Sequence, residues 1–237
     1  MTLILNSKKI KFLINKINSK ARVVREILEQ NDISITEEQW QRLKTWVDRL
    51  IEINSKINLI SRNQTELVWL HHILHSITPL ILIDFPKNID LCDFGTGGGL
   101  PGLPLAILRP DWQVFLLDSR HKKISAIKET TEGLGCHNLH FVAGRGEKVG
   151  LNPIYKNRFQ WFTARAVSAI GNLERWTRDL RKKEATLIAF KGGNLENEKI
   201  TPAQIQNVDK FVEHPIKLNG YFNFHINDKK LVEIKFT

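Results

Sequence analysis

The chain has 237 residues, 42% of them hydrophobic and 25% charged, which suffices for one well-buried core with a small appended region and excludes intrinsic disorder. Thirty-five Lys and Arg against 25 Asp and Glu leave a net charge of +10, a balance that favours a polyanionic partner, most simply nucleic acid. Cys92 and Cys136 form no C-x-x-C pattern, so neither a disulfide framework nor a zinc site is indicated, and no apolar run approaches the roughly 20 residues of a membrane span.

Ile10, Leu13, Ile14, Ile17, Ala21, Val24 and Leu28 recur at three- and four-residue spacing and predict a first helix with one apolar face. Its other face carries Lys8, Lys9, Lys11, Lys16 and Lys20, either a solvated surface or one that faces RNA. Thr36-Glu37-Glu38-Gln39 reads as a capping box opening a second helix, with Trp40, Leu43, Val47, Leu50 and Ile51 as its buried stripe. A third helical stretch, from about residue 65 to 83, ends before Pro86, where proline forbids continuation. Residues 1–85 are therefore expected to be an all-helical cap, and 86–237 a second region of different period.

From residue 88 short, nearly continuous apolar runs predict buried parallel strands at Ile89–Phe94, Val114–Leu117, Leu139–Val142, Phe159–Ala164 and Thr186–Phe190. Helices are expected between them at Leu103–Leu108, Arg120–Gly133 and Ala169–Lys182. Such alternation predicts a doubly wound α/β sheet. The runs Asn223–Ile226 and Leu231–Phe236 are expected to close it as an antiparallel hairpin.

The segment after the first strand, DFGTGGGLPGLP at 93–104, holds two overlapping glycine patterns. Gly97 to Gly102 satisfies G-x-G-x-x-G, which cradles a dinucleotide pyrophosphate at a helix N-terminus. Asp93 to Gly99 satisfies an acid followed by G-x-G-x-G. A carboxylate there would repel a pyrophosphate, whereas the sulfonium and ammonium of S-adenosylmethionine would be stabilised by it. Alternatively, Asp93 caps the loop by accepting from backbone donors. Asp118, closing the second strand, stands where an acid can hold ribose hydroxyls or cap the next helix.

DFGTGGGLPGLPLAILRP followed by LLDSRHKK resembles the RsmG (GidB) family of small-subunit ribosomal RNA guanine-N7 methyltransferases, whose loop reads approximately DVGTGAGLPGIPLAI and whose second strand ends LLDS. NLHFVAGRGEKV, FTARAVSAIGNL and LIAFKGG continue the resemblance, and INLISR and HHILHSI extend it upstream, over roughly residues 54 to 195. The resemblance implies a Rossmann-like class I S-adenosylmethionine methyltransferase sheet with an N-terminal helical cap. It places cofactor contacts on Asp93, Gly95, Gly97, Leu100, Asp118, Gly146, Glu147 and Arg165. Arg145, Arg165 and Lys191 fall on basic positions around the reacting site, and His72 on a histidine of the helical lead-in. His71, His75, Ile60, Asn63 and Lys230 depart from the family pattern, which bears on the exact RNA target more than on the cofactor.

The resemblance further implies 16S rRNA as partner, with S-adenosyl-L-methionine as cofactor, no metal, a cytoplasmic location and a monomer. His71, His72 and His75 lie in a helical stretch without a partner carboxylate pattern, so metal ligation is not expected. Guanine N7 carries a lone pair and no proton, so transfer needs alignment and no general base. Thr163-Ala164-Arg165-Ala166 offers neither the Asn/Asp-Pro-Pro-aromatic turn of exocyclic amine methylation nor a cysteine nucleophile. The rival readings are an NAD-dependent oxidoreductase, a non-catalytic ribosome-binding paralogue, and a methyltransferase acting on a small molecule.

Overall fold

The computed structural model describes residues 19–61, 67–198 and 208–237. Lys8, Lys9, Lys11, Lys16, residues 10–17 of the expected first helix, Asn63 and the expected start of the third helix at 65 lie outside them. Strands β1 (Asp90–Phe94), β2 (Gln113–Asp118), β3 (Leu139–Ala143), β4 (Phe159–Arg165), β5 (Arg181–Gly192), β6 (Val208–Pro215) and β7 (Lys229–Phe236) form one sheet in the order β3-β2-β1-β4-β5-β7-β6. The first five run parallel, and β7 runs antiparallel to both β5 and β6. The strand order reverses between β1 and β4, so a crevice opens beyond their carboxyl ends, where α/β sheets bind ligands.

Helix α1 covers 19–29, and α2 (Glu37–Asn54) starts with the expected capping box. The Gln39 amide N–H donates to Thr36 Oγ1 at 3.2 Å, and the Thr36 N–H to Gln39 Oε1 at 3.1 Å. The third stretch is divided into a π-helical segment (Val68–Leu74), α3 (His75–Ile77) and α4 (Pro79–Leu82), and Pro79 opens α4, a first-turn position that suits proline. Helices α5 (Gly102–Leu108) and α6 (His121–Thr131) pack on the face of the sheet that also receives α1 and α2. The opposite face carries α7 (Gly146–Val149) and α8 (Ile170–Thr177).

Cap and sheet share one apolar core on the first face. Trp46 is wholly buried and its indole N–H donates to Thr130 Oγ1 of α6 at 3.2 Å, while Gln39 Nε2 donates to the carbonyls of Ile107 and Leu108 at 3.2 Å. Burying a side chain of this kind contributes about 2–3 kcal/mol, so the cap is fastened to α5 and α6 by packing as well as by polar ties.

Two sequence expectations fail at the C-terminal end. Asn223–Ile226 is a helical turn, α9, and the hairpin partner of β7 is Val208–Pro215. Strand β6 is the sheet's edge and most of its side chains face solvent, so it lacks the apolar run that betrays a buried strand. Helix α8 stops at Thr177 and β5 begins at Arg181, within the helix expected to reach Lys182. The buried Arg181–Glu174 pair, 3.0 Å apart, fixes that early strand start against α8.

Candidate active site

Asp93, the last residue but one of β1, faces inward. Its Oδ2 accepts from Thr96 Oγ1 at 2.6 Å and from the Gly102 N–H at 2.9 Å, and its Oδ1 accepts from Thr163 Oγ1 of β4 at 2.9 Å. The carboxylate has no solvent exposure and does not line the crevice; burial raises its pKa to about 6 against the pull of these donors. Of the two readings of Asp93, the loop cap matches this position, and the cation-facing one does not. Its three bonds fold the glycine loop back on itself, with positive φ at Gly95, Gly97 and Gly99. Gly102 is held so close to Asp93 and Leu116 that a Cβ would lie 2.4 Å from Leu116 Cδ2. With its N–H turned onto Asp93, Gly102 is no donor to a pyrophosphate, and the G-x-G-x-x-G pattern describes packing.

The first cleft, of about 450 Å³, lies at the carboxyl ends of β1 to β4. Asp118 lines it from the end of β2, its Oδ2 accepting from the Gly97 N–H at 3.0 Å and its Oδ1 from the Arg120 N–H at 2.9 Å. A carboxylate has about four acceptor positions, so two remain for the hydroxyls of a ribose. Phe94, Leu117, Val167 and Trp176 give apolar walls, and Gly95, Arg145, Gly146 and Glu147 complete the rim. Both glycines are needed sterically: a Cβ on Gly95 would lie 2.6 Å from Val167 Cγ2, and one on Gly146 2.5 Å from Phe94 Cε2 and from the Trp176 carbonyl. An acid at the end of β2 beside an apolar slot suits an adenosine, so the donor set and shape fit S-adenosylmethionine.

The second cleft, of about 560 Å³, lies at the ends of β4 and β5 under the π-helical segment and α9. Arg165 crosses its base. One guanidinium nitrogen donates to the His72 carbonyl at 3.1 Å and Ser76 Oγ at 3.2 Å, and the other meets His72 Nδ1 at 2.7 Å. Burial lowers the Arg165 pKa to about 10, with Asp93 opposing, so it stays cationic at neutral pH. Nδ1 must therefore accept, and the His72 proton sits on Nε2. Burial, then Arg165, holds His72 down to about 3, and burial holds His75 well below its ordinary value. The Nε2 atoms of both rings are buried with no hydrogen-bond partner among the described residues. His75 packs against Phe190 and Phe224, ring centroids 5.1 and 4.9 Å away. The wall facing His75 is thus aromatic and includes Phe224 of α9.

Ala166 lines both clefts and adopts φ +55°, a conformation L-residues rarely take. It is the seam at which the two meet. Among the expected site residues, Gly95, Asp118, Arg145, Gly146 and Glu147 line the first cleft, and Arg165 and Lys191 the second. Asp93, Gly97 and Leu100 shape the loop without lining either cleft. Sequence reasoning missed Lys123 and Trp176 in the first cleft and Glu198, Tyr221, Asn223 and Lys229 in the second. Only LLDSRHKK gave any signal, for Lys123; the rest converge from distant segments. No group of three or more potential metal-ligating side chains occurs among the described residues, and none of their helices is long and apolar enough to cross a membrane.

A seven-stranded sheet in this order, with a glycine loop after β1 and an acid ending β2, is the fold of class I S-adenosylmethionine-dependent methyltransferases. Among solved structures it is similar to a predicted O-methyltransferase from Agrobacterium tumefaciens (TM-score 0.52, 13% identity, 69% of this chain and 79% of that one). A chain of the fibrillarin/Nop5p complex is also similar (TM-score 0.53, 10% identity, 70% and 80% covered). The chain belongs to the GidB family, described as rRNA small subunit methyltransferase G, whose pattern it matches over residues 39–222. It is 35% identical over 175 residues to ribosomal RNA small subunit methyltransferase G of Lactobacillus delbrueckii subsp. bulgaricus, covering 73% of each chain. It is 36% identical over 171 residues to the protein of that name from Macrococcus caseolyticus, covering 72% of this chain and 71% of that one.

Proposed function

We propose that this methyltransferase modifies N7 of a guanine in 16S rRNA of the small ribosomal subunit. The observation that carries the reading is the meeting of two clefts at Ala166, one suited to an adenosine and the other open to a base beside it. S-adenosylmethionine, when bound, supplies an activated methyl group on a cationic sulfur. Asp118 holds the ribose, Gly95 and Gly146 let the loop and α7 close on the adenosyl group, and Glu147 and Arg145 border it. Arg165 and Lys191 frame the acceptor base. The N7 lone pair forms the new bond to carbon while the sulfur keeps the electrons of the old one, and the positive charge passes to the guanine. No proton moves, so the chain needs to align its reactants and exclude water, a contribution of up to roughly 7–11 kcal/mol in favourable cases.

Arg120, Arg145 and Lys148 are exposed around the first cleft, and Lys20 and Arg22 on α1 of the cap, a distribution that suits phosphate contacts on both regions. The test is transfer of labelled methyl from S-adenosylmethionine to unmodified 16S rRNA, naked and within small subunits. Incorporation that weakens with salt, with a slope near −0.7 per neutralised phosphate on single strands, is expected. Absence of incorporation into either substrate would overturn the reading.

A further inference from the structure

Among the described residues, one carboxylate lines the second cleft, that of Glu198, and the methyl transfer has no use for it. Its Oε2 pairs closely with Lys191 Nζ, and Lys191 Nζ also donates to the Ser168 carbonyl at 2.8 Å. Ser168 is two residues past Ala166, so the Lys191 ammonium is tied to the segment that leaves the seam, and the Glu198 carboxylate is paired to that ammonium within the same cleft. The Glu198 side chain is 28% exposed and that of Lys191 11%, and Glu198 Oε2, the oxygen that meets the ammonium, is itself buried.

The edge of a guanine has a matching order. N7 comes first, then O6, an acceptor, then N1–H and the 2-amino group, both donors. A guanine entering with N7 toward Ala166 brings O6 to a cation and its two adjacent donors to a carboxylate. A carboxylate accepting two parallel N–H bonds is a strong, charge-assisted arrangement. Adenine presents an unprotonated N1 and an amino group at these places, so the same pair would meet it with an acceptor against an acceptor and a donor against a donor. We propose that Glu198 is a specificity-determining residue that reads the N1–H and 2-amino group of the target guanine, with Lys191 on O6. In the absence of RNA the two side chains form an ion pair.

This inference rests on the reading of the second cleft as the acceptor site. Its test uses the full chain and 16S rRNA in which the guanosine that the wild-type protein methylates is replaced by inosine, which lacks only the 2-amino group. Wild-type kcat/KM is expected to favour guanosine over inosine by about tenfold or more, the value of one hydrogen bond to a charged group. Glu198→Gln should be slower on guanosine, and its preference should fall to near unity. A residue that merely braced the loop would slow both RNAs alike and leave the ratio intact. Equal wild-type rates on the two RNAs, or a ratio unchanged in E198Q, would overturn the role of Glu198 while leaving the methyltransferase reading in place. If E198Q is inert on both RNAs, the wild-type ratio decides by the same tenfold mark. Absence of methylation of any guanosine would overturn the site assignment itself.

Discussion

Arg165 and His72 are joined by a contact of 2.7 Å between a guanidinium nitrogen and Nδ1, which ties the end of β4 to the π-helical segment of the cap. Thr163 and Arg165 project to the same side of β4, so the residue that bonds Asp93 and the one that bonds His72 are neighbours in register. The glycine loop and the roof of the second cleft are thereby both anchored on β4, two residues apart.

His72 titrates with a definite sign. His72 lies at about 3 in the fold and at 6.5 unfolded, so the unfolded chain binds the proton first. Its contribution is complete above pH 6.5 and is lost as pH falls toward about 3, by at most roughly 1.4 kcal/mol per pH unit. His72→Gln, whose amide oxygen can still accept from Arg165, should flatten the acid side of a stability–pH curve measured by urea unfolding. An unchanged slope between pH 6 and 4 would refute the burial of a neutral His72.

Asp93 has the opposite sign. Its folded value of about 6 exceeds the ordinary 3.8, so its contribution is complete below 3.8 and is lost as pH rises through about 6. Asp93→Asn keeps an oxygen for Thr96 and Gly102 and turns its amide to Thr163, whose hydroxyl can accept. The variant should bind S-adenosylhomocysteine and S-adenosylmethionine within severalfold of wild type in calorimetry, and its acid loss of stability should steepen. A drop of tenfold or more confined to the cationic S-adenosylmethionine would mean that the Asp93 charge does serve the cofactor.

Much of this was readable beforehand, for identifiable reasons. The loop 93–102, the acid ending β2 and the capping box at Thr36 are local devices, in which residues a few positions apart satisfy one another, and a linear sequence displays them. The inward turn of Asp93 was not readable, because it depends on Thr163, which lies 70 positions away. Strand β6 escaped because an edge strand needs no apolar run, and Phe224 in α9 imitates a strand residue while packing on His75. The second cleft joins the lead-in helix, two strand ends, Glu198 and α9, and no spacing rule connects them.

Gly146→Ala introduces a methyl 2.5 Å from the Trp176 carbonyl, a backbone atom that cannot step aside cheaply. Overpacking of this kind costs about 1–3 kcal/mol. Differential scanning calorimetry should show Tm lowered by roughly 2–4 °C per kcal/mol for a chain of this size, together with weaker S-adenosylhomocysteine binding. A wild-type Tm would show that α7 is free to shift.

At the seam, Ala166→Gly removes the cost of a left-handed alanine and should stabilise the fold by about 0.5–1 kcal/mol with transfer retained. Ala166→Val places a β-branched side chain between the clefts. Methyl transfer should fall at least about tenfold while S-adenosylhomocysteine affinity holds within a few-fold, and equal losses in both would place the seam elsewhere.

The identity of the methylated atom tests the guanine-N7 assignment most directly. Small subunits whose 16S rRNA lacks the modification are incubated with the protein and S-adenosylmethionine, then treated with borohydride and aniline, which cleave RNA chains at N7-methylguanosine. One new, protein-dependent break at a single guanosine is expected. Methyl incorporation without cleavage, placing the group on another atom, or no incorporation at all, would contradict it.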